Sequence, residues 1–238
     1  MADIPSAIGF DADDTLWHNE RFFRLSQDQF ASLLADHADP DHLGARLLAA
    51  EKRNIGRYGF GIKGFTLSMI ETAIEVTESR VPAATIGQIL ELGREMLAHP
   101  IELLPHAREA VEYAANRMPV ILITKGDLLD QERKLAQSGL GDLFAAVEIV
   151  SDKTPAQYDD IFARHADGPE RGIMIGNSMK SDIVPMIEAG GWAVHVPHDL
   201  AWALEHADAP SQAPRFREIP DLGSLPDLLE GLARVDGE

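Results

Sequence analysis

The sequence predicts an α/β fold, a doubly wound parallel sheet into which an all-helical segment is inserted. Three observations predict it. Short continuous apolar runs recur, as in residues 120–124 and 172–176, which is how strands buried on both faces read. These runs alternate with helix-length amphipathic segments, the pattern of a parallel sheet covered by helices. Between the first and second strands, residues 18–98 instead repeat their apolar side chains at three and four, which is helical throughout.

Taken in order, residues 6–11 read as the first strand. Residues 20–37 read as a helix presenting Phe22, Phe23, Phe30, Leu33 and Leu34 on one face. Asp39 before Pro40 supplies an N-cap and a first-turn proline for a second helix through Leu43, Leu47 and Leu48. Residues 57–65, with Gly59, Gly61 and Gly64, read as a break. A third helix carries Phe65, Met69, Ile70, Ala73 and Ile74, Val81-Pro82 ends any extension of it, and a fourth carries Ile86, Ile89, Leu90, Gly93, Met96 and Leu97. After a connector, helices near 105–117, 128–137, 156–165 and 181–189 alternate with strands near 120–124, 145–150, 172–176 and 192–196. That makes at least five strands. Residues 207–220 are rich in proline and polar residues, and 225–234 read as a closing helix. The expected division is a core of residues 1–17 and 99–238 and a helical insert of 18–98.

Composition narrows the function. A net charge of −18 argues against nucleic acid or an anionic membrane as partner, since both are bound by basic surfaces. No apolar run approaches the ~20 residues of a membrane span. The opening MADIPSAIGF lacks a basic region followed by an apolar stretch and cleavage site, and a cytoplasmic protein is expected. The absence of cysteine removes disulfides, thiolate metal sites and cysteine nucleophiles together. A small phosphorylated substrate would be repelled at long range and would need a local cation, a metal or a placed lysine.

Four polar clusters fall at the C-terminal ends of four strands: Asp11 with Asp13, Thr124, Lys153, and Asn177 with Asp182. In an open parallel sheet those ends share one edge, where ligands bind. An apolar strand ending in FDADDT points to Asp11 as a nucleophile and Asp13 as its acid/base partner, although an Asx turn uses the same residue types. As a leaving-group acid near neutral pH, Asp13 would have to be protonated, and neighbouring carboxylates are expected to raise its pKa.

These motifs resemble those of the haloacid dehalogenase (HAD) superfamily of hydrolases over nearly the whole chain. FDADDTLW is similar to the first motif, the apolar run ending in Thr124 to the second, Lys153 in SDKTP to the third, and IGNSMKSD, residues 175–182, to the fourth. The helical insert resembles a C1-type cap on a Rossmann-like core. The resemblance implies a magnesium-dependent phosphatase acting on a small phosphorylated metabolite. Asp11 would form an aspartyl-phosphate, and Asp13 would protonate the leaving oxygen and then activate water. Thr124 would hold the phosphoryl group, and Lys153 would balance its charge and orient Asp11. Mg2+ would be held by the Asp11 carboxylate, the Asp13 backbone carbonyl, Asn177 and Asp182. Asn177 departs from the family, which commonly has Asp there. It offers a carbonyl oxygen without a charge, leaving Asp182 a larger share of metal binding, or else it only caps the next helix.

Lys125, Arg57 and Lys63 are further candidates for substrate binding, with Tyr58 and Phe60 as apolar contacts. Asp127 after Thr124 reads as a helix start, His195 and His198 as structural or rim residues, and Trp192 and Trp202 as core or cap contacts. Rival readings are a haloacid dehalogenase, a phosphotransferase or mutase, and a binding module without turnover. Halide leaves without a proton whereas an alkoxide needs one, so Asp13 favours phosphoester chemistry over dehalogenation.

Overall fold

The computed structural model describes residues 5–200 and 202–235. Residues 1–4, the start of the stretch read for a leader, lie outside it. The chain forms two compact units, one of residues 1–18, 101–125 and 131–238, the other of 19–100 and 126–130. No helix among the described residues is long and apolar enough to cross a membrane.

The first unit is built on a six-stranded, all-parallel sheet: β1 (Ala7–Phe10), β2 (Val120–Lys125), β3 (Ala146–Val150), β4 (Gly172–Gly176), β5 (Trp192–His195) and β6 (Phe216–Glu218), in the order β3-β2-β1-β4-β5-β6. Strand alternation sorts the side chains into two cores. Ile8, Phe10, Val120, Leu122, Ile173, Ile175 and Val194 face one side, where α5 (Ala107–Ala115) and α9 (Leu225–Val235) contribute Ala107, Ala110, Val111, Ala114, Leu225 and Leu229. Ala7, Ile121, Ile123, Met174 and Ala193 face the other, against Tyr158, Ile161 and Phe162 of α7 (Pro155–His165) and Met186 of α8 (Val184–Glu188). The fold is therefore doubly wound, as the apolar runs require. Gly9 sits in the middle of central β1 because a Cβ there would lie 2.6 Å from Ile123 Cδ1.

The second unit contains α1 (Glu20–Leu33), α2 (Pro40–Tyr58), α3 (Ile62–Val76) and α4 (Ala83–Ala98), packed on Phe30, Leu34, Leu43, Leu47, Phe65, Met69, Ala73, Ile89 and Met96. Asp39 caps α2, accepting from the backbone N–H of His42. The glycine break is shorter than its sequence suggests. Arg57 and Tyr58 still belong to α2, Lys63 and Gly64 already belong to α3, and only residues 59–61 are non-helical. Gly59 and Gly61 adopt φ of 73° and 113°, a region that costs glycine nothing.

Two elements escape the sequence reading. β6 lies within the proline-rich stretch and pairs with β5; three residues, Phe-Arg-Glu, carry no period of their own. The helix expected at 181–189 is a π-helical turn, Met179–Ile183, running into α8. Pro185 has no N–H to give to the last carbonyls of that turn.

Candidate active site

The strand order places the ends of β2 and β4 on either side of β1, with β3 beyond β2, and side chains that follow β1, β3 and β4 meet. Asp11 follows β1 directly. Its Oδ2 accepts from the Thr15 hydroxyl at 2.9 Å, and its Oδ1 from Lys153 Nζ at 2.6 Å. Lys153 also donates to Asp182 Oδ1 at 2.7 Å. The Asn177 backbone N–H donates to Thr15 Oγ1 at 3.0 Å, and that hydroxyl lies 3.2 Å from Asn177 Oδ1. Thr124, at the end of β2, is buried, and its hydroxyl has no hydrogen-bond partner among the described residues. A buried hydroxyl left without a partner costs about 1–3 kcal/mol, so Thr124 is set for an acceptor that the described residues do not supply.

Asp182 is wholly buried, and both its oxygens are engaged, Oδ1 by Lys153 and Oδ2 by the backbone N–H of Ser178 at 2.9 Å. Gly176 is required for this, since any Cβ there would collide with the Asp182 carboxylate. The helix-capping role considered for Asn177 belongs instead to Ser178, whose hydroxyl accepts from the Ser181 N–H at 3.0 Å. The Asn177 side chain is directed to Thr15, beside Asp11.

Lys153 is one buried cation between two buried carboxylates. Burial first, and the neighbouring Asp182 carboxylate second, push Asp11 up to about 7 against the pull of Lys153. Burial opposes the charge on Lys153, but Asp11 and Asp182 outweigh it and hold the ammonium well above its ordinary range. The group as a whole is short of positive charge.

Asp13 departs from expectation. Burial alone would raise its pKa, but Lys134, Gln131 and Trp17 overcome burial and lower it. Lys134 Nζ donates to both carboxylate oxygens at 2.9 and 3.0 Å, Gln131 Nε2 to Oδ2 at 2.9 Å and Trp17 Nε1 to Oδ1 at 2.8 Å. Asp13 is held as a carboxylate, not protonated as its neighbouring acids suggested. Gln131 and Lys134 lie on one face of α6 (Leu128–Ser138) at i, i+3 spacing. That helical face was visible in the sequence, but nothing local points it at Asp13, more than a hundred residues earlier.

Lys125 is also already partnered, by Ser181 Oγ at 2.7 Å and by Glu205. In the helical unit, Lys63 Nζ pairs with Asp127 at 2.8 Å, and Arg57 is exposed at the last turn of α2. Asp127 accepts from the Asp130 N–H at 3.3 Å, the helix-start role expected of it. His195 bridges Glu218 at 2.8 Å and the Asn177 carbonyl at 3.2 Å, and His198 approaches Asp14 at 3.8 Å. Trp192 packs on the sheet core with the Arg217 guanidinium 5.1 Å from its ring centre. Among the described residues no three His, Asp or Glu side chains form a metal cage. The oxygen donors gathered near Lys153 and Thr15 are two carboxylates and one amide.

The sequence model of the family described as haloacid dehalogenase-like hydrolase matches residues 5–190. The chain belongs to the haloacid dehalogenase-like hydrolases. Among solved structures, the hydrolase is similar to a haloacid dehalogenase-like family hydrolase from Xanthomonas campestris, with 43% identity over 98% of this chain and 94% of that one and a TM-score of 0.87. Two more distant structures share the fold. One is the HAD-hydrolase YfnB from Bacillus subtilis bound to magnesium, at 17% identity, TM-score 0.65, covering 95% of this chain and 99% of that one. The other is L-2-haloacid dehalogenase from Xanthobacter autotrophicus with chloropropionic acid covalently bound, at 16% identity, TM-score 0.66, covering 96% and 99%. A search of the curated proteins found no match to the hydrolase.

Proposed function

We propose that this hydrolase is a magnesium-dependent phosphatase acting on a small phosphomonoester, with Asp11 as nucleophile. The observation that carries the reading is that Asp11, held by Lys153 and Thr15, follows β1, while the adjacent strand β2 carries near its end the buried Thr124 hydroxyl, which has no partner among the described residues. A phosphoryl group offers several oxygens, and Thr124 and Lys153 supply donors for them.

Asp11 would attack phosphorus, forming a bond from its carboxylate oxygen as the bond to the ester oxygen breaks. Water would then cleave the aspartyl-phosphate and return Asp11. Asp13, ionised in the grip of Lys134, Gln131 and Trp17, is set to accept the proton of that water. Its other expected task, giving a proton to the leaving oxygen, works against the same three donors. The reading therefore favours substrates whose leaving group departs as a stable anion.

The residues fit a hard divalent cation. Two carboxylates, Asp11 and Asp182, face one cation, Lys153, in a buried place, and burial first, then Asp182, raise Asp11 to about 7. Asp11, the Asp13 backbone carbonyl and Asn177 Oδ1 would hold Mg2+, all through oxygen. Asp182 supports them by fixing Lys153 and the turn that follows Asn177. Bound there, Mg2+ would offset the repulsion between a phosphoryl dianion and the Asp11 carboxylate. The magnesium-bound YfnB structure shares this fold.

Phosphate release from an aryl phosphate, with Mg2+ and with EDTA, tests the reading. Magnesium-dependent release supports it. Halide release from a 2-haloacid without phosphatase activity would replace it with the dehalogenase reading, and neither activity would leave a binding protein.

A further inference from the structure

Glu205 stands outside all four motifs, in the short helical turn Ala203–Glu205. Its Oε1 accepts from Lys125 Nζ at 2.5 Å, and its Oε2 from the hydroxyls of Ser178 and Ser181, each at 2.5 Å. Lys180 Nζ donates to the Leu204 carbonyl at 2.9 Å. The turn is thus fastened to the residues between Asn177 and Asp182, and to the strand end one residue beyond Thr124. The Lys125 and Glu205 side chains are each only 15% exposed, so water screens the pair less than it screens a surface pair.

Lys125 follows Thr124 as the last residue of β2, and its ammonium lies beside Ser181, one residue before Asp182. In a chain of net charge −18, it is the group that a second anion on the leaving group would seek. Glu205 occupies it and places a further negative charge beside it. A selective site can be built as much by repelling a wrong ligand as by attracting the right one. Resting on the phosphatase reading, we propose that Glu205 is a specificity-determining residue that withholds Lys125 from substrate. The protein would thereby select phosphomonoesters with an uncharged leaving group over those bearing a carboxylate. A purely structural ion pair would hold the turn in place and leave substrate choice untouched.

The test compares kcat/KM for phenyl phosphate and 4-carboxyphenyl phosphate, in Mg2+, for the full-length wild type, Glu205→Gln, Lys125→Met and the double variant. Wild type is expected to favour phenyl phosphate. Glu205→Gln should shift the ratio toward the carboxylated ester by roughly fivefold or more, the worth of one partly shielded ion pair. That gain should vanish in the double variant. Lys125→Met, which leaves Glu205 without its cation, should sharpen the preference for phenyl phosphate and tests the same point should Glu205→Gln fail to fold. An unchanged or opposite ratio in Glu205→Gln, or a gain that survives loss of Lys125, overturns the inference while leaving the phosphatase reading intact. A wild type inactive on both esters overturns the reading and the inference together.

Discussion

Lys134 donates to both carboxylate oxygens of Asp13, at 2.9 and 3.0 Å, from a side chain only 7% exposed. This contact sets the state of the acid/base candidate. With its pKa below the ordinary Asp value of 3.8, Asp13 stabilises the fold above pH 3.8, and that stabilisation is lost as pH falls through the lowered value. At neutral pH it is ionised and ready to accept a proton.

Rates should therefore depend steeply on the leaving group, an aryl phosphate turning over faster than an alkyl phosphate. Asp13→Ala, which removes the base for the hydrolysis step common to both substrates, should cost at least as much on the aryl ester as on the alkyl ester. Lys134→Met removes the cation that opposes protonation of Asp13 and should narrow the aryl-to-alkyl gap, while breaking a largely buried pair at a cost of roughly 3–5 kcal/mol. Parallel rate measurements on the two esters and thermal melts check this; an unchanged gap in Lys134→Met would free the leaving-group step from Lys134.

Asp11→Asn should abolish turnover and yet stabilise the magnesium-free protein. Asp11 rises from 3.8 to about 7 on folding. A raised acid contributes its full stability below the unfolded value of 3.8, and that contribution is lost as pH rises through about 7. Replacing Asp11 removes the loss and leaves Lys153 and Asp182 matched one to one. Melting at pH 8 in EDTA should show a higher Tm for the variant, by about 2–4 °C per kcal/mol relieved, with the difference shrinking toward pH 4. A lower Tm at pH 8 would mean that Lys153 balances both carboxylates unaided.

Asn177→Asp should tighten Mg2+ binding by adding a charge beside Asp11, and should lower the Tm without metal for the same reason. Isothermal titration with Mg2+, alongside melts in EDTA, separates the two effects. Weaker Mg2+ binding would remove Asn177 from the proposed ligands.

Glu51, buried on α2, is raised to about 7, first by burial and then by Glu20. Its favourable contribution is present below its ordinary 4.5 and lost as pH rises through about 7. Glu51→Gln should raise Tm above pH 7 and leave it nearly unchanged near pH 4, with no effect on kcat. A pH series of melts decides; equal shifts at both ends would point to packing instead of charge.

Much of the protein was legible in the sequence because short-range physics writes itself locally. Continuous apolar runs named β1, β2 and β4 and placed Asp11, Thr124 and Asn177 at their ends, since a strand buried on both faces tolerates little else. Asp39 and Pro40 announced the start of α2 because an unsatisfied helix terminus needs that chemistry within four residues. The partners of those residues were decided only by tertiary structure. Asp13 owes its charge state to Lys134, 121 positions away, and Lys125 meets Glu205 across 80. β6 exists because β5 offers it an edge. Such pairings follow from which surfaces the folded sheet brings within a few ångströms, and Coulombic and hydrogen-bond forces act over that distance without regard to separation along the chain.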